Sequence, residues 1–143
     1  MSSTALANLA KIHKLKVEPS SLREFDGLVR SASERASDAR NPALSLASRF
    51  TLAYDASHAL ALAALRVSGY RSADQYLVFQ CLPHNLGTES STWQLLSLCH
   101  KKRNLAEYEG HLDVDEALVD ALMLVVDALL EQVRLLRAKF TTK

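Results

Sequence analysis

Apolar residues recur along most of this chain three or four positions apart, and the runs are broken at Gly, Pro, Asn and Ser. That period belongs to helices, and the breaks divide the chain into about six helical segments. Leu6, Leu9 and Ile12 give a narrow stripe and predict a first, peripheral helix over about Thr4 to Lys14 within residues 1–20. Ser21, with Glu24 three positions on, has the form of a capping box and opens a helix through Leu22, Phe25, Leu28 and Val29 toward Arg40. Asn41-Pro42 reads as a start signal for a long central helix ending near Val67, apolar on more than one face, with Leu44, Phe50, Tyr54, Leu60 and Leu65 among many alanines.

Gly69 ends that helix, and Ser72 is placed to cap a short successor through Tyr76, Val78 and Phe79 that Pro83 stops. After the turn Pro83-His84-Asn85-Leu86-Gly87, Thr88 or Ser90 starts a helix carrying Trp93, Leu95, Leu96, Leu98 and Cys99, with Gly110 as its end. Asp113 is the expected cap of the last helix, whose stripe runs Leu118, Leu122, Val125, Val126, Leu129, Leu130, Val133 and Leu136. Together these predict an all-α fold: an up-and-down four-helix bundle core with additional short helices, in one domain over residues 1–143.

Composition narrows the picture. The 143 residues are 48% hydrophobic with 4 Gly and 3 Pro, too few breakers for a turn-rich sheet protein. A formal charge of +1 argues against a broad electrostatic grip on nucleic acid and leaves room only for a focal contact. Cys81 and Cys99 lie among apolar residues without zinc-ligand spacing and read as buried thiols rather than a disulfide. The start Met1-Ser2-Ser3-Thr4 has no charged leader and no run is long enough for a membrane span, so a cytoplasmic protein without membrane attachment is expected. No glycine-rich phosphate loop, paired-carboxylate motif or Glu-x-x-His pattern occurs, and neither a cofactor nor a metal is expected.

Chemistry concentrates in Lys101-Lys102-Arg103-Asn104-Leu105-Ala106-Glu107-Tyr108-Glu109-Gly110-His111. At helical spacing His100, Asn104 and Tyr108 project from one face, with Arg103 and Glu107 as an i, i+4 pair beside it. A guanidinium beside an amide suits a phosphate, a tyrosine suits stacking on a base, and a histidine suits proton exchange with a ribose hydroxyl. The candidate nucleotide or RNA site is therefore Arg103, Asn104, Tyr108, Lys102 and His100. The plainer reading makes Arg103 and Glu107 a surface ion pair worth under about 0.5 kcal/mol. His58, four after Tyr54, reads as a core or interface histidine with Asp55 as a local partner, and His13 and His84 as incidental.

Ala53-Tyr54-Asp55-Ala56-Ser57-His58-Ala59-Leu60, the helix end Val67-Ser68-Gly69-Tyr70-Arg71, and Arg103-Asn104 with Tyr108 and Gly110 resemble HEPN domains (higher eukaryotes and prokaryotes nucleotide-binding). The resemblance covers about residues 21–136. It implies the four-helix bundle, a homodimer, and a nucleotidyltransferase-like protein partner in a toxin–antitoxin or defence system. Many such domains are metal-independent ribonucleases whose motif is an arginine, a polar residue and then a histidine after four to six intervening residues. Here Tyr108 follows after four and His111 after seven. Three expectations follow: a nucleotide- or RNA-associated interaction module with catalysis lost or weak; a toxin-like endoribonuclease using Arg103 with His111, or His100, as acid or base; and a structural protein–protein bundle with no nucleic-acid role.

Overall fold

The computed structural model describes residues Ser2–Thr141, without the side chains of Ser2, Ser3 and Thr141. It is all-α, with helices α1 (Ser2–Lys11), α2 (Leu22–Ala39), α3 (Leu46–Val67), α4 (Gln75–Gln80), α5 (Leu82–Leu86), α6 (Ser90–Glu109), α7 (Glu116–Leu135) and α8 (Ala138–Thr141). The long helices α2, α3, α6 and α7 pack as a bundle around α3. One antiparallel pair, β1 (Lys16–Val17) with β2 (Tyr70–Arg71), ties the chain before α2 to the end of α3 in the register Lys16↔Arg71 and Val17↔Tyr70. No helix of the described residues is long and apolar enough to cross a membrane.

The core sits where α2 and α7 cover α3. Phe25, Ala32, Ala36 and Ala39 are the buried positions of α2, and Val119, Leu122, Met123, Val126, Leu129 and Val133 those of α7, each set one stripe wide. α3 is buried on several sides, including Phe50, Tyr54, Leu60, Leu65 and six alanines. Alanine on both helices lets α2 and α3 approach closely, and theirs is the most extensive packing in the molecule. α6 differs. Only Leu96 and Cys99 of its residues are buried, it meets α3 and α7 sparingly, and α4 holds it more than either does.

Ser21 caps α2 as expected, its hydroxyl accepting from the Glu24 N–H at 3.2 Å. Several boundaries move for local reasons. Helix α1 starts at Ser2 and ends at Lys11, short of the expected Lys14. Asn41 does not start α3: its side chain accepts from the Ala43 N–H at 2.9 Å in an Asx turn, leaving Leu44 outside the helix, and Ser45 caps α3 by accepting from Ser48 N–H. Asp74 rather than Ser72 caps α4, accepting from Leu77 N–H. Pro83 stands in the first turn of α5, where a missing N–H costs nothing, so the expected turn is a short helix closed by Gly87 at φ 65. Asp115, not Asp113, caps α7 through Leu118 N–H at 2.8 Å, because Leu112 and Val114 before it are packed against the core.

Candidate functional site

Three elements converge at the middle of α6. Tyr54 is buried on α3, Gln75 stands in the first turn of α4, and His100 lies one turn before Arg103 and Asn104 on α6. Gln75 Oε1 accepts from Tyr54 Oη at 3.0 Å and from Arg103 Nη1 at 2.9 Å. The Arg103 guanidinium lies 5.0 Å from the centre of the Tyr54 ring, on its face. Tyr54 Oη is 2.9 Å from His100 Nδ1, and Asn104 Nδ2 is 3.1 Å from His100 Nε2.

These contacts assign the hydrogens. Gln75 Oε1 only accepts, so it takes the Tyr54 proton and one from Arg103. His100 Nδ1 then carries a proton that it donates to the Tyr54 oxygen, and Nε2 is left as an acceptor facing Asn104. Electrostatics agree with this neutral imidazole. Burial, opposed by Asp74 and aided by Arg103, holds His100 below its ordinary 6.5, and burial pushes Tyr54 up to about 12, so its hydroxyl stays protonated.

Around the cluster, His100 packs on Tyr76 with ring centres 5.3 Å apart and on the edge of Phe79 at 6.5 Å. His58 meets the same Phe79 ring at 5.9 Å. Its Nε2 is buried without a hydrogen-bond partner, and burial holds its pKa below 6.5 against the pull of Asp55. Cys99 and Cys81 are free and buried, and burial raises their thiols to about 12 and about 11. Neither is placed as a nucleophile.

The sequence candidates separate in space. His100, Arg103 and Asn104 come together. Tyr108, one turn beyond Asn104, is 90% exposed and takes no part. Lys102 turns the other way, donating to the Asp113 carbonyl at 3.0 Å and pinning the loop after α6. His111, past the left-handed Gly110 (φ 80), lines a recess of about 60 Å³ with Lys102, Leu105, Ala106, Glu109 and Asp113, whereas Arg103 faces α3 and α4. Arg103 makes no ion pair with Glu107 among the described residues; its guanidinium goes to Gln75 instead. Gln75 is the member sequence reasoning missed, since one amide in a short helix carries no signal. Tyr54 had one: a phenol on the central, largely buried helix needs a hydrogen-bond partner for its hydroxyl.

Beside the cluster a groove of about 640 Å³ opens between α3 and the end of α6. Leu44, Ala47, Phe50, Leu52, Ala106 and Leu112 form its apolar walls, and Ser48, Thr51, Arg103 and Glu107 supply polar groups. Arg103 thus borders both groove and cluster. Fold and site together define a helical bundle in which a half-buried cation, Arg103, links a cluster of phenol, imidazole and amide groups to the mouth of an apolar groove. Among family models, curated proteins and solved structures, none matches this chain.

Proposed function

We propose that this chain is a cytoplasmic, HEPN-like module that binds the phosphate of a nucleotide or RNA through Arg103, with Asn104 and His100 beside it and catalysis weak or absent. The observation that carries the reading is the way Arg103 is held. One of its nitrogens is fixed by Gln75 and its face by Tyr54, both uncharged, so its position is set while its charge is unmet by any carboxylate ion pair among the described residues. A guanidinium so prepared suits an anionic oxygen. A homodimer, and a nucleotidyltransferase-like partner in a toxin–antitoxin or defence setting, extend the proposal on the strength of the resemblance. Calorimetric titration with nucleoside monophosphates and short single-stranded RNA tests it. Binding lost in Arg103→Ala is expected, and equal behaviour of wild type and variant sinks the reading.

A second reading, metal-independent RNA cleavage, gains support from His100 rather than His111, because the His100 Nε2 acceptor shares its cluster with Arg103. Incubation with RNA in EDTA separates the two. Cleavage abolished by His100→Ala and by Arg103→Ala, and kept by His111→Ala, would establish it.

A further inference from the structure

The groove beside Arg103 has a feature that the phosphate reading leaves unused. Glu107 lines it one helical turn beyond Arg103, and no hydrogen bond or ion pair engages its carboxylate among the described residues. Spacing on α6 would let the two side chains pair, yet Arg103 is drawn to Gln75, so cation and anion face the groove separately. A ligand that satisfies both must present an anionic oxygen to Arg103 and hydrogen-bond donors to Glu107, with an apolar body between walls of leucine, alanine and phenylalanine. The volume of about 640 Å³ is within the range of small-molecule sites. One turn, about 5.4 Å, also suits a ribose between phosphate and base.

We propose that this groove is the base subsite of the nucleotide site, and that Glu107 selects guanine. The inference rests on the nucleotide reading above. A carboxylate only accepts hydrogen bonds. Guanine offers it two donors side by side, the N1 and N2 hydrogens. Adenine and cytosine each offer one amino group beside a ring-nitrogen acceptor, and uracil a single N–H between two carbonyls that a carboxylate repels. On the α3 side of the groove, Ser48 accepts from the Ser45 hydroxyl and keeps its own proton to donate, while Thr51 donates to the Ala47 carbonyl and keeps lone pairs to accept at the remaining edge of the base.

The test is titration of the full chain with GMP, AMP, CMP, UMP and inorganic phosphate, for wild type, Glu107→Gln and Arg103→Ala. Wild type is expected to favour GMP over UMP by roughly tenfold, the worth of one bidentate base contact. Glu107→Gln replaces one acceptor oxygen with a donor amide, which pairs with adenine instead, so the GMP-to-AMP preference should fall by roughly fivefold to tenfold. Equal affinity for all four bases, with binding still lost in Arg103→Ala, overturns the base subsite and leaves the nucleotide reading standing. No binding of any nucleotide or of phosphate overturns both. A groove filled by a second copy of the chain would instead show as a dimer that Ala47→Asp dissociates in sedimentation, and that outcome also overturns the subsite.

Discussion

Two arginines hold polar clusters on α3, one at its C-terminal end and one nearer its middle at Tyr54, and they are built on opposite plans. Arg66, 2% exposed, gives Nε to Glu24 at 2.7 Å, Nη1 to the Glu18 and Tyr70 carbonyls, and Nη2 to the Pro19 carbonyl at 2.6 Å, with the Glu18 carboxylate 3.4 Å away. Arg71 bonds the same two glutamates, so two cations meet two anions and the cluster closes on itself. Among the described residues Arg103 is met by an amide and a ring face, with no carboxylate. The first arrangement fastens the chain before α2 to the end of α3. The second spends little of its charge on the fold, and a cation held by neutral groups at the mouth of a groove is what a ligand site requires.

The largest expected effect comes from opening the closed cluster. Arg66→Ala removes four donor contacts of a buried guanidinium and leaves Glu18 and Glu24 to Arg71 alone, which should cost about 2–3 kcal/mol, the upper part of the usual range for a single substitution. Melting should fall by on the order of 10 °C. Arg103→Ala should invert this pattern. Its melting point should hold within about 1 kcal/mol of stability, while nucleotide affinity falls about tenfold to a hundredfold, the worth of a charged hydrogen bond. If Arg103→Ala unfolds the protein and Arg66→Ala does not, the division of labour between the two clusters is wrong.

Acid should separate the clusters next. In the Arg103 cluster, burial holds His58 and His100 below 6.5, so the unfolded chain binds more protons than the folded one once pH drops through that value. Their contribution is fully present above about pH 6.5 and declines as pH falls below it. In the Arg66 cluster the bond from Arg71, with Arg66 and Lys16 nearby, holds Glu18 below 4.5. At Glu24 burial pushes upward, but the bonds from Arg66 and Arg71 prevail. That contribution is present above about pH 4.5 and is lost below it. Urea midpoints measured against pH should therefore decline in two steps. Replacing His58 and His100 together with Gln should remove the upper step and leave the lower one, whereas Glu24→Gln should shrink the lower alone.

The same comparison shows what sequence can carry. Local features were legible because both partners lie within a turn: the Ser21 cap, the left-handed Gly110 that ends α6, and the apolar stripe of α7. Neither arginine cluster was. Arg66 reads as one more basic residue near a helix end, and its partner Glu24 lies 42 positions earlier. Glu24 was legible as half of a capping box, but its carboxylate is taken by Arg66 and Arg71. The polar patch lies on α6, where the i, i+4 contact of His100 with Asn104 follows the helical spacing. The same spacing pairs Arg103 with Glu107 and sets Tyr108 on the face of His100 and Asn104, whereas Arg103 turns to Gln75 of α4, His100 also meets Tyr54 of α3, and Tyr108 stands exposed. Periodicity gives the neighbours on one helix, and it carries no information about which of them a second helix will claim.

The smallest effect should come from His111→Ala, and it is the sharpest check on which histidine belongs with Arg103. Sequence spacing puts His111 ahead of His100 as the histidine to act with Arg103. The structure puts His100 in hydrogen-bond contact with Tyr54, which touches Arg103, and leaves His111 exposed in the loop pinned by Lys102. An exposed side chain outside the cluster should cost under about 0.5 kcal/mol when truncated. Nucleotide affinity and melting point should accordingly match wild type, while His100→Ala weakens binding by removing the acceptor that orients Asn104. Loss of binding in His111→Ala with His100→Ala intact would mean that the loop after Gly110 folds back on Arg103 when ligand binds. The site would then be completed by the α6–α7 loop instead of by α3 and α4.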